Sequence, residues 1–195
     1  DRADVFSTIA EGIKGKRALK WDLVDELVPR SKWNDKISAR VADILASRPE
    51  KEGAGIQWTE LGGTYDEDSI SHKFVDLKID RNLRLAEIVV RGPEEPQPED
   101  GAGFRAAGTD AWALRAFREL DDVLLRLRFE EPHIGLINLR TSGDLDKVLA
   151  ADRGLLAAQN DWLAKEILHH MKRVLKRLDL MAKSIFAYVE PGSCF

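Results

Sequence analysis

The first residues whose spacing could support chemistry are a carboxylate and two histidines near the end of the chain. Glu166 and His169 form an E-x-x-H step on a predicted helix, and His170 follows Glu166 by four residues. Di-iron bundles use two such steps and two further carboxylates on facing helices. The sequence has one step, and adjacent helical side chains diverge by about 100°. We therefore interpret the histidines as packed or partly solvated and assign no metal ligand.

A glycine-containing segment fits a loose dinucleotide-binding pattern. Residues 101–106 read G-A-G-F-R-A, and the acidic residues Asp121 and Asp122 follow about 20 residues later. The dinucleotide motif requires a buried strand directly before its glycines. Here an acidic, proline-rich stretch precedes them instead. We interpret residues 101–106 as a flexible loop.

Four basic residues recur along the helix that carries the histidines: Lys172, Arg173, Lys176 and Arg177. Such a stripe could meet phosphates, including those of a coenzyme A moiety. Phosphate-tracking surfaces usually interleave aromatic residues or offer a glycine-rich cradle, and neither is present. We therefore favour a solvated helix face.

The chain has one cysteine, Cys194, which follows Gly192 and Ser193. The order suggests a nucleophile turn, but no G-x-S-x-G sequence or partner histidine accompanies it. We interpret Cys194 as a small apolar residue that fills space. A single cysteine cannot form an intramolecular disulfide, which favours a reducing, cytoplasmic location.

Composition narrows the function classes. The 195 residues carry 30 basic and 34 acidic side chains, a net charge of -4, so the whole-chain charge gives no reason to expect nucleic acid. No apolar run approaches the roughly 20 residues of a membrane span. A hydrophobic fraction of 44% is sufficient for a folded core. We expect a globular protein that binds neither nucleic acid nor membrane.

The first 72 residues read as helices followed by a connection. Residues 3–29 predict two short helical pieces. A longer helix is predicted over 31–48, with Ser31 as its N-cap and Pro49 as its end. Residues 49–72 are rich in glycine and charge and read as a linker between domains. The apolar positions of the longer helix have helical spacing; they are Trp33, Ile37, Val41, Ile44 and Leu45.

Beyond the linker the pattern predicts an α/β fold. Apolar and polar residues alternate over 74–91, which indicates a β-hairpin with turn chemistry at residues 80–82. A helix is predicted from about residue 112 to 127, and a second from about 160 to 180. Apolar runs at 134–139 and 184–189 predict neighbouring parallel strands joined by a helical crossover.

The chain resembles the crotonase (enoyl-CoA hydratase) superfamily. Residues 23–29, L-V-D-E-L-V-P, resemble the turn that follows the catalytic half of a crotonase domain, with Asp22 in place of the usual glycine. Residues 74–195 resemble the opening of a second unit, including L-A-A-D at 149–152 and the strand and turn at 185–195. The resemblance implies a partial crotonase-like fold. Residues 1–48 would be the C-terminal helical part of one domain, and residues 73–195 the N-terminal ββα/βαβ part of a second.

The resemblance extends to enzymes that open the ring of 2,3-epoxybenzoyl-CoA in aerobic benzoate degradation and release formate. It implies an internal fragment of such an enzyme, a CoA-thioester substrate for the parent, a homo-oligomer and no cofactor. The family's catalytic glutamates would precede Asp1. Residues 141–144, T-S-G-D, loosely occupy the region of the first oxyanion donor, and the second donor would follow Phe195. We assign no catalytic residue and expect this piece alone to be inactive.

A second hypothesis belongs to a different class. The chain also fits a non-catalytic α/β interaction module whose amphipathic helices pair with a partner or with a copy of the same chain. The lack of a complete active site is compatible with either interpretation.

Overall fold

The computed structural model describes residues 2–48 and 55–194, and the chain divides into two compact units between residues 54 and 55. We call residues 2–48 the helical unit and residues 55–194 the sheet unit. No helix in these ranges is long and apolar enough to cross a membrane. Part of the predicted linker, residues 49–54, lies outside the described residues.

The helical unit contains α1 (Arg2–Thr8), α2 (Gly15–Lys20), a 3-10 turn (Arg30–Lys32) and α3 (Trp33–Ser47). The predicted short helices and the longer helix are confirmed. The N-cap assignment of Ser31 is wrong, because Ser31 lies within the 3-10 turn and α3 begins at Trp33 without a side-chain cap. The predicted stop at Pro49 lies outside the described residues.

The helical unit buries little apolar surface. Among its described residues, only one hydrophobic residue, Ala18, is buried. The amphipathic face of α3 is exposed along its length. Its five large apolar residues are each 45% to 64% exposed; they are Trp33, Ile37, Val41, Ile44 and Leu45. This face therefore has the composition of a contact surface.

The sheet unit is built on six strands in sequential order: β1 (Thr64–Tyr65), β2 (Ser69–Ser71), β3 (Val75–Asp80), β4 (Leu85–Arg91), β5 (Leu136–Ser142) and β6 (Ser184–Tyr188). Strands β1 to β4 pair antiparallel, and β4, β5 and β6 pair parallel. The predicted hairpin and the predicted parallel pair are confirmed. The residues of β1 and β2, which fall within the predicted linker 49–72, belong to the sheet instead.

Four helices accompany the sheet: α4 (Gly101–Ala107), α5 (Trp112–Phe129), α6 (Leu145–Ala157) and α7 (Trp162–Asp179). Helices α5 and α7 were predicted, but α6 was not. The prediction of a flexible loop over residues 101–106 is wrong. Asp100 caps α4, because its carboxylate accepts the Gly103 N–H at 2.7 Å and so satisfies a free amide of the first turn.

One face of the sheet packs on the helices and forms the core. Alternate residues of β3 and β4 are buried on this face, as a half-covered sheet requires. Helices α5 and α7 supply the opposing apolar side chains. The largest fully buried side chains include Trp112, Phe104, Leu77, Ile88, Leu124, Ile137 and Ile167.

A buried carboxylate joins α5 to the start of the hairpin. Glu119 is 0% exposed, and it accepts the Phe74 N–H at 2.6 Å and the Arg115 Nε–H at 3.0 Å. Arg115 also donates to the Leu61 carbonyl at 2.6 Å. A buried carboxylate is tolerated only when such donors satisfy it. Glu119 therefore fixes the position of α5 against the strand that begins at Val75.

Replacing Glu119 by alanine leaves the Phe74 N–H and the Arg115 guanidinium without their buried acceptor. We expect urea denaturation to show a loss of about 3 kcal/mol in the free energy of unfolding. Glu119→Gln keeps an oxygen acceptor and should cost less. Glu130→Ala, at an exposed position at the end of the same helix, should stay within about 0.5 kcal/mol of the unchanged chain. Equal losses at positions 119 and 130 would contradict the role of the buried carboxylate.

Candidate functional site

The candidate site lies where three parallel strands end together. Strands β4, β5 and β6 are followed by Gly92, Gly143 and the turn at residues 190–194. In open α/β sheets, ligands bind outside the carboxyl ends of parallel strands. We call this group of strand ends the carboxyl edge.

Hydrogen bonds join the three segments of the carboxyl edge. The Gly92 N–H donates to the Ser142 carbonyl at 2.9 Å, and the Gly143 N–H donates to the Gly192 carbonyl at 3.2 Å. The Cys194 N–H donates to the Thr141 hydroxyl at 3.2 Å. These amides are therefore occupied and hold the edge together.

The thiol of Cys194 fills the space between two glycines. Cys194 is buried, and a Cβ atom placed at Gly92 or Gly143 would lie 3.4 or 3.5 Å from its sulfur. Gly143 also has a φ of +140°, which side-chain-bearing residues rarely adopt. The interpretation of Cys194 as a buried space-filling residue is confirmed. Ser193 accepts the Glu190 N–H through its hydroxyl at 3.1 Å, which closes the turn.

The segment 141–144 has structural partners. Thr141 accepts from Cys194, and Asp144 caps helix α6 by accepting from the amides of Asp146 and Lys147 at 2.8 and 3.3 Å. The cap satisfies amides at the start of α6. The polar side chains and the Gly143 amide thus stabilise the edge, and we place no oxyanion donor on them.

Helix α6 leads away from the carboxyl edge and carries the segment 149–152. Desolvation by surrounding protein atoms raises the pKa of the Asp152 carboxyl above its ordinary value, although the residue remains exposed at the surface. Sequence reasoning used this segment for resemblance and did not single out Asp152, because a shift caused by burial depends on the fold.

The histidine pair lies elsewhere, on α7. The Nδ1 atom of His169 is 4.0 Å from Glu166, and both side chains are more than half exposed. His170 points into a crevice against α5. Within the described ranges, no group of three or more His, Cys, Asp or Glu side chains could hold a metal ion. The interpretation as packed and partly solvated histidines is confirmed.

Three of the four basic residues on α7 are exposed to solvent, and the fourth forms an ion pair. Lys172, Arg173 and Lys176 are exposed, as expected for a solvated face. The Arg177 Nε–H donates to the Asp121 carboxylate at 2.5 Å and links α7 to α5. Asp121 thus stabilises the packing of α5 against α7.

The loop after β4 packs closely on α6 beside the carboxyl edge. A Cβ atom at Gly154 would collide with the carbonyl oxygen of Pro98 and would lie 3.2 Å from Glu99 Cα. Lys147 also donates to the Glu94 carbonyl. Glycine at position 154 therefore permits the loop to approach the helix backbone.

No family model matches the chain. The chain is 38% identical, over 196 aligned residues, to a benzoyl-CoA-dihydrodiol lyase of Aromatoleum evansii. The alignment covers the whole chain and 35% of the lyase, so the chain spans about a third of that relative's length. This similarity confirms the resemblance to a CoA-thioester lyase that the sequence indicated.

Gly154→Ala tests the contact between the loop and α6. In an exposed helix, alanine is more favourable than glycine by about 1 kcal/mol. Here the collision with Pro98 should reverse the sign and destabilise the chain by about 1 to 3 kcal/mol in urea denaturation. Gly135→Ala is the matched control, because a Cβ atom there has no neighbour within 4 Å. A stabilising Gly154→Ala would contradict the packing described.

Proposed function

We propose that the chain is an internal piece of a lyase that opens the ring of 2,3-epoxybenzoyl-CoA with water and releases formate. The observation that carries the proposal is the 38% identity to a benzoyl-CoA-dihydrodiol lyase over the full length of the chain. The similarity extends through both units, so it supports one common parent for them. The α/β sheet with a parallel carboxyl edge is compatible with this class of enzyme.

The chemistry of the superfamily requires groups that the described residues do not bring together. Two backbone N–H groups would hold the thioester oxygen and stabilise enolate-like charge. Carboxylates would transfer protons and direct water. At the carboxyl edge the amides of Gly92, Gly143 and Cys194 already bond within the fold. In our proposal the chain supplies framework, and the catalytic groups come from other parts of the parent.

The two units correspond to parts of two crotonase-like domains in this proposal. Residues 1–48 are the C-terminal helical part of the first, 49–72 connect, and 73–195 begin the second. The family's glutamates then precede Asp1, and the second oxyanion donor follows Phe195. The CoA thioester is the substrate of the parent, and we propose no cofactor, metal, nucleic acid or membrane as partner.

A second candidate function is supported by the exposed face of α3. A module that associates with a copy of itself or with a partner requires an uncovered apolar surface, and this face provides one. The same face suits a homo-oligomeric parent. A measurement of self-association therefore distinguishes the two candidate functions less well than a measurement of enzymatic activity.

The activity test uses epoxidised benzoyl-CoA and a formate assay. We expect no formate release above buffer from the 195-residue chain, because the proposal places its glutamates outside this sequence. The Aromatoleum evansii lyase, assayed in parallel, serves as the positive control. Turnover by the purified chain alone would remove the proposal of an incomplete active site. A longer polypeptide that contains this chain and its flanking sequence should be active, and its inactivity would remove the proposed parent function.

Sedimentation velocity tests the exposed face of α3. We expect the chain to associate or aggregate at micromolar concentration, since burial of one large apolar side chain contributes roughly 1.5 to 3 kcal/mol. Ile37→Lys with Val41→Lys should reduce association by placing charge on this face. Ala42→Lys with Ala46→Lys adds the same two charges at exposed positions on the other side of α3 and is the control. A monomeric unchanged chain with one cooperative thermal transition would contradict the expectation.

A further inference from the structure

Strand β6 is an outermost strand of the six-stranded sheet. It pairs with β5 on one side, and no strand of the described residues lies on its other side. The strand at the opposite end of the sheet, β1, has two residues, whereas β6 has five. An outermost strand presents unpaired N–H and C=O groups, which can pair with another strand. The open side of β6 is therefore the longer of the two places where this sheet could be extended.

Residues 184–189 carry none of the features that protect outermost strands. Natural proteins block such strands with charged side chains, proline, bulges or a covering helix. The segment reads S-I-F-A-Y-V, without charge and without proline. Uncharged segments of about six residues with high β-propensity are typical of strands that pair with copies of themselves. Its three largest exposed side chains are 45% to 80% exposed; they are Phe186, Tyr188 and Val189.

The hydrogen bonds between β5 and β6 determine which backbone groups of β6 point outward. The Ser184 N–H donates to the Gly135 carbonyl at 2.9 Å. Backbone groups alternate in direction along a strand, so the even-numbered residues of β6 bond toward β5. The N–H and C=O groups of the odd-numbered residues point away from β5; they are Ile185, Ala187 and Val189.

An antiparallel copy of β6 matches this pattern about a two-fold axis at Ala187. The outward groups of both copies then meet in hydrogen-bonded pairs, Ala187 with its counterpart and Ile185 with Val189 of the second copy. The axis is perpendicular to the sheet, so each side chain lies opposite one from the same face. On the face without helices, Phe186 lies opposite Tyr188 of the second copy. Aromatic cross-strand pairs of this kind stabilise sheets.

The charges at the two ends of β6 are complementary in this arrangement. Lys183 precedes the strand and Glu190 follows it. Antiparallel pairing brings Lys183 of each copy to the end where Glu190 of the second copy lies, in addition to the Arg140 that Glu190 contacts at 2.8 Å. The two copies of Glu190 are separated by about 20 Å, because the rise along a strand is about 3.4 Å per residue. A parallel copy would instead place like charges side by side, so charge favours the antiparallel copy.

We propose that the chain forms a symmetric dimer in which the β6 strands of two copies pair antiparallel and join the two sheets into one. The partner is a second copy because the strand is complementary to itself in hydrogen bonds, apolar side chains and charge. Each copy uses the same surface, so the interface closes and does not propagate into a fibre. This surface is distinct from the exposed face of α3, and the proposal does not depend on the lyase activity.

Disulfide crosslinking tests the register of the dimer. Ala187→Cys should give a disulfide-linked dimer under oxidising conditions, because opposite Cα atoms of such a pair lie about 5.5 Å apart. Val189→Cys is the matched control, since the two copies of this residue would lie about 13 Å apart, too far for a disulfide. The unchanged chain, whose Cys194 is buried, should remain unlinked. Absence of the crosslink at position 187, or equal crosslinking at positions 187 and 189, overturns the proposal.

A proline at position 187 tests the backbone pairing. The Ala187 N–H points away from β5, so Ala187→Pro keeps the hydrogen bonds between β5 and β6 but removes the central donors of the dimer. The background chain carries Ile37→Lys and Val41→Lys, which suppress association through α3. Sedimentation equilibrium should show a monomer–dimer equilibrium for this background, and Ala187→Pro should raise its dissociation constant about tenfold or more. Ala187→Ser keeps the N–H and should stay within about twofold.

Two results of the sedimentation experiment overturn the proposal. One is a background chain that stays monomeric at about 1 mM, since even a weak strand-mediated dimer is populated at that concentration. The other is an equal dissociation constant for the proline and serine variants when circular dichroism melts show that both are folded. If the proline variant does not fold, the crosslinking result at position 187 decides.

Discussion

Parallel pairing of β4, β5 and β6 is the constraint on which the sheet unit depends. Parallel strands require a crossover, and the two crossovers here carry α4 with α5 and α6 with α7. Both crossovers therefore begin at the same carboxyl edge. The edge must join segments about 50 residues apart in sequence, and it does so with amide hydrogen bonds and the buried thiol of Cys194. Within the described residues, the backbone amides of Gly92, Gly143 and Cys194 are therefore engaged in the hydrogen bonds that join the edge.

The sequence predicted those elements whose apolar periodicity was long. The hairpin, α5, α7 and the parallel pair β5 and β6 followed from such patterns. Strands β1 and β2 were missed because two or three residues carry no period. Helix α4 was missed because its glycines outweighed the Asp100 cap, and α6 was missed although Asp144 caps it. The carboxyl edge and the crevice could not be predicted, because both arise from contacts between residues distant in sequence.

The two faces of the sheet differ in solvent exposure, and so ion pairs on them differ in their effect on stability. The face against the helices is largely dry, so the fully buried carboxylate of Glu119 must be satisfied and holds a defined position. On the opposite face Arg140 pairs with Glu190 at 2.8 Å and approaches Glu87 at 3.7 Å, with the side chains about one-third to one-half exposed. Exposed pairs contribute little to stability. Substitution of Glu87 or Glu190 should therefore change surface charge more than the free energy of unfolding.

The stability of the helical unit is limited because the apolar face of α3 is not buried within the unit. Helix α3 has 15 residues, and isolated helices of about 12 to 15 residues are marginal in water. Amphipathic helices gain most of their stability from burial of the apolar face, and here that face is exposed from Trp33 to Leu45. The apolar face of α3 therefore gains its stability from apolar surface outside the helical unit.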